Sequence, residues 1–290
     1  MEQIAELPIT GSLDLKFTKT KSGRIKMRKL DKARIWTRIL LITLAIITVI
    51  GLITIDTGTM TLSQAIPAFL TNLSRIFLQP RMSHRVQFAN LVREVAVTTG
   101  LAILATILGA IISFFFALLA ARNLSPKRVT QVVRASMSFV RAIPAILWVL
   151  IFALAIGLGS EAAIVGLVFQ GFAFLTKAYS ETIEEIDDGV IEALKASGAT
   201  WWQIVFQAVL PSCLTAMLSW TFIRFESNFG HALAVGAAAG AGGIGFQLAL
   251  SGNMQMDMRE VGFIIYMLIA VSVVFELISM KLRERLLVKN

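Results

Sequence analysis

This chain has long apolar runs without Asp, Glu, Lys or Arg, among them residues 39–55, 95–121 and 142–160, which are 17, 27 and 19 residues long. A helix needs about 20 apolar residues to cross ~30 Å of hydrocarbon, and a helix is one of the few structures that satisfies its own backbone there. These runs therefore predict membrane spans rather than a water-soluble core. Composition agrees, with 56% hydrophobic residues and 16% charged, against ~25% charged in a soluble domain. The third run extends back toward Ser136, and further apolar stretches at about 162–180, from Pro211 onward and at about 261–280 bring the expected number of spans to six. The expected fold is all-α and polytopic, with both ends of the chain on one side of the membrane.

The basic residues fix which side. Ten Lys/Arg precede the first span, and with 122–134, Lys177, Lys195 and 281–289 the side of the termini holds 20. The other side holds five, Arg75, Arg81, Arg85, Arg93 and Arg259, while Arg141 and Arg224 fall within spans. The positive-inside rule counts Lys and Arg, and it places both termini in the cytoplasm of a bacterial inner-membrane protein. The net charge of +9 is thus a topology signal, not a nucleic-acid footprint. The first apolar run is longer than a signal-peptide core and has no small-residue cleavage site after it, so it is expected to remain as an anchor. This divides the chain into a basic cytoplasmic segment at 1–35, a transmembrane domain at 36–285 and a short cytoplasmic tail at 286–290. Cys213 is the single cysteine, which excludes an internal disulfide and leaves the redox compartment undetermined; no Cys/His cluster offers a metal site.

One cytoplasmic loop, 181–212, breaks the basic pattern. It carries Glu181, Glu184, Glu185, Asp187, Asp188 and Glu192 against Lys195, and anionic lipid headgroups repel such a segment. Its local chemistry predicts two short helices. Asp187 or Asp188 can cap the first, Gly198 can close it in a left-handed conformation, and Thr200 with Gln203 forms a capping box for the second. In the second helix Trp201, Ile204, Val205, Ala208 and Val209 share one apolar face. That face suits either packing against the chain's own spans or docking to a partner protein.

Glu192-Ala193-Leu194, then Gly198, then Leu210-Pro211 resembles the E-A-A, three residues, G, nine residues, I, one residue, L-P motif of permeases in bacterial ATP-binding-cassette importers. Leu194 replaces the second alanine and Ala208 the isoleucine, with the spacing kept. The stretches 121–126 (A-R-N-L-S-P), 141–152 (R-A-I-P-A-I-L-W-V-L-I-F), 179–187 (Y-S-E-T-I-E-E-I-D), 224–228 (R-F-E-S-N) and 240–245 (G-A-G-G-I-G) are similar to phosphonate-importer permeases, in this order. The likeness covers roughly residues 95–285. His231 stands where those relatives commonly carry arginine, and Ala237 lies where they carry an aliphatic-glycine pair.

The resemblance implies a type I importer permease that couples to its ATPase through Asp188, Glu192, Ala193, Gly198, Trp201, Trp202, Leu210 and Pro211. It implies a second permease chain, forming a homodimer, two P-loop ATPase subunits that bind ATP and Mg, and an extracytoplasmic substrate-binding protein. No G-x-x-x-x-G-K-[ST] occurs in this chain, so it is expected to hold no cofactor and to catalyse no reaction itself. A phosphonate, phosphite or related oxyanion is the expected substrate; methionine or a quaternary amine is the alternative, although a cation would call for an aromatic box and the only tyrosines are Tyr179 and Tyr266. An integral-membrane enzyme or channel would need a catalytic pair or pore ring, and none is evident.

Arg141, Arg224, Glu226, Asn228 and His231 are the candidates for the translocation path. A charge at mid-bilayer depth costs at least ~2.5 kcal/mol unless paired or hydrated, so Arg224 and Glu226 must face protein or water. Two residues apart on a helix, they point about 200° away from each other, which leaves Arg141 as a candidate partner for Glu226. Either arginine could instead meet the substrate. His231 reads as a packed or interfacial histidine, and Trp36, Trp148 and Trp220 as interface anchors. Gly240, Gly242 and Gly245 satisfy G-x-G-x-x-G, but no strand precedes them and no acidic residue lies about 20 residues on. A closely packed bend is expected there.

Overall fold

The computed structural model describes residues 18–19, 25–26, 32–54 and 62–287. Most of the basic segment at 1–35, and residues 288–290 of the tail, lie outside them. Contacts divide the chain into two units at Ala65 and Ile66. In the first, β1 (Thr18–Lys19) pairs antiparallel with β2 (Ile25–Lys26), a small departure from an all-α chain. The same unit holds α1 (Lys32–Thr54), whose residues Ile35–Thr54 are apolar and exposed throughout.

The second unit is helical. α2 (Leu62–Leu78) leads to α3 (Phe88–Ala120), α4 (Lys127–Ala142), α5 (Ala145–Ile156) and α6 (Ser160–Glu184). The short α7 (Asp188–Ala196) and α8 (Trp201–Ile204) form a hairpin before α9 (Leu210–Ala239), α10 (Gly243–Ala249) and α11 (Met258–Leu287). Among the described residues five helices are long and apolar enough to cross a membrane, and six spans result if α4 and α5 together make one.

The packing is that of helices in lipid. Ala102, Ala105, Gly109, Ser113 and Ala117 form a buried small-residue stripe on α3, which lets the backbones of α3 and α6 approach closely. The Ser113 hydroxyl donates to the Gly109 and Phe172 carbonyls at 2.5 and 2.9 Å. The opposite face of α3 exposes Ile107, Ile111 and Phe115. Small residues face inward and large apolar ones outward because lipid supplies no hydrophobic penalty on the outside.

Two expectations need correction. Residues 142–160 are not one straight span: α4 and α5 meet at 89°. Pro144 disfavours a helical Ile143, and Ile143 is extended, with φ −93° and ψ 126°. The Trp148 indole folds back and donates to the Val140 carbonyl at 3.0 Å, satisfying an acceptor left free where α4 ends. Its ring packs on Phe169 in this elbow, with a structural role there beyond that of an interface anchor. Nor does the second loop helix stop before the fifth span. α8 continues through a π-helical turn at Val205–Val209 into α9, making one run at Trp201–Ala239. A proline inside an α-helix clashes with the carbonyl four residues back; here the wider turn precedes Pro211, near the start of α9.

Residues Leu62–Leu78, with Pro67 inside, form α2. It lies against the start of α11, where a side chain at Gly262 would come within 2.1 Å of the Ile76 carbonyl oxygen. The expected glycine bend is present: Gly240, Gly242 and Gly243 have φ of 62°, 74° and 73°, and they turn α10 back along α9. A Cβ at Gly245 would lie 2.0 Å from the Leu233 carbonyl oxygen. The motif therefore serves a backbone crossing. The Ile244 amide, at its centre, donates to the Thr98 hydroxyl at 3.0 Å.

Candidate functional site

The α7–α8 hairpin forms by the local chemistry its sequence dictates. The Asp187 carboxylate accepts from the Gly189 amide at 2.8 Å and caps α7. Gly198 has φ of 83°, a conformation that glycine adopts without steric cost. The Thr200 amide and hydroxyl both donate to Gln203 Oε1, at 2.7 and 2.9 Å, and fix the start of α8.

One side of the hairpin is locked to the bundle. Ile191, Ile204, Val205 and Val209 are buried in a cluster with Leu118, Leu124, Tyr179, Ile183 and Cys213. The Trp201 indole donates to the Leu124 carbonyl at 3.1 Å. Next to it, Glu184 accepts from the Arg122 amide at 2.7 Å and from Arg134 Nη2 at 2.5 Å. The apolar face seen in sequence is thus spent on the protein's own spans, and Trp201, with Ala208, belongs to it.

The outward side is different. Trp202 and Phe206 are stacked with ring centres 6.0 Å apart and stand 50% and 59% exposed. On α7, Asp188, Val190 and Glu192 are exposed as well. Ala193, Gly198 and Pro211 are exposed and Leu210 half-buried. Phe206 lies off the apolar stripe, and the signal for it in the sequence is its i, i+4 spacing from Trp202.

The second constellation is a buried polar row on α9. Arg224, Asn228 and His231 fall at i, i+4 and i+7, which share a face. Arg224 is buried, its Nη2 donating to Gln170 Oε1 of α6 and its guanidinium 5.5 Å from the centre of the Phe174 ring. A Cβ at Gly171 would press on Arg224 Nε at 3.3 Å, so this glycine makes the room. Asn228 Nδ2 donates to Thr106 Oγ1 of α3 at 2.9 Å. Arg224 Nε, Asn228 Oδ1, His231 Nδ1 and Glu226 Oε1 are buried with no hydrogen-bond partner among the described residues.

Arg141 does not reach Glu226. The ion pairs among the described residues are Arg122–Glu184, Arg134–Glu184 and Lys177–Glu181, so neither Arg141, Arg224 nor Glu226 is in one. Arg224 instead meets neutral Gln170 and the face of Phe174. Gln170, Phe174 and Thr106 were missed because they come from other helices, and nothing in one sequence pairs them with α9. Arg141 lies apart from the row, in a pocket formed by α4 and α6. Among the described residues no group of His, Cys, Asp and Glu could hold a metal ion.

Six potential spans, a capped hairpin at one end and a polar row inside define a multi-pass transport component. Residues 113–286 match the family of binding-protein-dependent transport system inner membrane components, and the chain belongs to that family. It is similar to a phosphate-import permease protein of Mycolicibacterium smegmatis, 32% identical over 192 residues, which cover 66% of this chain and 36% of that protein. A phosphite transport system permease protein of Stutzerimonas stutzeri is 31% identical over 195 residues, 67% of this chain and 70% of its own length. A probable D-methionine transport system permease protein of Pasteurella multocida is 30% identical over 169 residues, 56% of this chain and 76% of its own. Among solved structures, an inward-facing MetNI methionine ABC transporter matches with a TM-score of 0.63 at 23% identity, covering 71% of this chain and 99% of that one. The fold is that of type I importer permeases.

Proposed function

We propose that this chain is the permease subunit of an ATP-driven importer that moves a phosphonate, phosphite or related small oxyanion into the cytoplasm. The observation that carries the coupling is the two-sided hairpin: one face fastened to α3, α6 and α9, the other presenting Trp202 and Phe206. A short amphipathic helix offered this way suits helix-in-groove docking. Motion of a docked ATPase would pass through a packed cluster into the spans, which suits rigid-body rocking between two access states.

In this reading the hairpin end is cytoplasmic, both termini share that side, and ATP and Mg bind to two separate P-loop subunits. A second copy of this chain completes the path, and a binding protein delivers the anion from outside. The substrate class rests on the phosphate and phosphite relatives and on the buried cation Arg224, since a desolvated anion needs compensating charge. Arginine suits the task because its planar fork can hold two oxygens while staying charged. The methionine relatives support the alternative substrate, an amino acid. Competition decides: in proteoliposomes of the assembled importer, excess phosphite or methylphosphonate should block uptake of labelled phosphite while methionine does not. Blocking by methionine would favour the amino-acid reading.

A further inference from the structure

At the hairpin end, α3, α4 and α6 enclose a pocket lined by Ala120, Arg134, Met137, Ser138, Arg141, Thr176, Lys177 and Ser180. Its volume is about 120 Å³. Three of the lining residues are cationic, and none is acidic. Arg134 is committed to Glu184 and to the Ala120 carbonyl, and Lys177 lies 3.5 Å from Glu181. Arg141 has no ion pair among the described residues. The lining includes Thr176, which is completely buried, and its hydroxyl has no hydrogen-bond partner among the described residues. A buried hydroxyl without a partner costs free energy, and beside an uncommitted guanidinium it makes a donor set for an anion.

We propose that this pocket binds a small tetrahedral oxyanion, with Arg141 supplying the charge and Thr176 a hydroxyl donor. The inference deepens the transport reading and rests on it: the pocket lies at the end assigned to the cytoplasm, separate from the Arg224 row, so it would hold the anion on its release side. A phospholipid headgroup presents the same phosphate chemistry. A closed, small floor of Thr176, Ala120 and Met137, each buried, favours the free ion.

The test uses the full chain in phospholipid-free detergent, with inorganic phosphate as the probe and phosphorus NMR line broadening as the readout. Arg141→Gln and Thr176→Val should each weaken phosphate binding about tenfold or more, the loss expected of one charge-assisted hydrogen bond. Arg141→Lys should keep part of it, and Arg259→Gln, at the other end of the bundle, should keep all of it. Circular dichroism and gel filtration establish that each variant is folded. A parallel arm measures phosphatidylglycerol retained by wild type and Arg141→Gln after purification. Equal phosphate binding by wild type and both pocket variants overturns the proposal. So does the absence of phosphate binding together with a phosphatidylglycerol that only the wild type retains. Oxyanion uptake by the assembled importer is read separately: uptake without Arg141-dependent binding sinks the pocket alone, and binding without uptake sinks the transport reading alone.

Discussion

Arg224 carries the energetic problem of the bundle interior, a buried cation whose hydrogen-bond partner is a neutral amide. Removing one member of a buried ion pair strands the other charge and costs about 3–5 kcal/mol, a penalty that does not arise where the partner is the neutral Gln170. Arg224→Met is therefore expected to keep membrane yield within about twofold. If the guanidinium serves the path, uptake should nevertheless fall about tenfold or more, the loss of one charge-assisted contact. Because Arg224 and Glu226 share no partner, the yield losses of Arg224→Gln and Glu226→Gln should add within about 0.5 kcal/mol. Rescue of one by the other, measured as folded protein per membrane, would restore the ion-pair account. The glycines give a sharper contrast. Gly245→Ala places a methyl against the Leu233 backbone, whereas Gly252→Ala meets only the Val261 side chain at 3.5 Å. The first should abolish folded yield and the second leave it near wild type, as read by gel filtration.

At the scale of elements, the two faces of the hairpin separate stability from the proposed coupling. Ile204→Ala opens the buried cluster and should cost about 2–5 kcal/mol, lowering yield. Trp202→Ala with Phe206→Ala removes half-exposed side chains outside the buried cluster, so thermal stability should fall far less than in Ile204→Ala while affinity for the proposed ATPase partner falls at least tenfold, the size of an aromatic hot spot. Glu192→Lys should likewise insert normally and uncouple transport, through charge at an exposed site. Wild-type ATPase affinity and uptake in all of these variants would remove the hairpin from the coupling path. The hairpin was the most legible element in the sequence because every signal in it is local: Asp187 caps two residues on, Gly198 needs its left-handed turn, and Thr200 and Gln203 are three apart. The α4–α5 elbow was not read from the sequence: the long uncharged run at 142–160 argued for a single span, and the Trp148 indole reaching back to the Val140 carbonyl is a contact that run length does not display. The π-helical turn before Pro211 was hidden for the same reason, since a proline near a helix start reads equally well as a new beginning.

Across the whole molecule, the five helices long and apolar enough to span a membrane among the described residues, six if α4 and α5 make one, were legible from run lengths, because the bilayer imposes a length rule that one sequence displays. The polar row was half legible: intramembrane charges announce themselves, but their partners Gln170 and Thr106 are set by helix packing. The isolated chain carries no P-loop, so its ATP hydrolysis should match a protein-free blank in a phosphate-release assay. Turnover should appear only when a P-loop subunit is added. The most direct measurement is uptake of labelled phosphite by proteoliposomes containing this chain, its co-purifying ATPase and its binding protein, with and without enclosed ATP. Saturable uptake that requires ATP, competes with methylphosphonate and disappears in the Trp202→Ala, Phe206→Ala variant is expected. Uptake that proceeds without ATP or without the ATPase subunit, or that is untouched by the hairpin variant, would contradict the account.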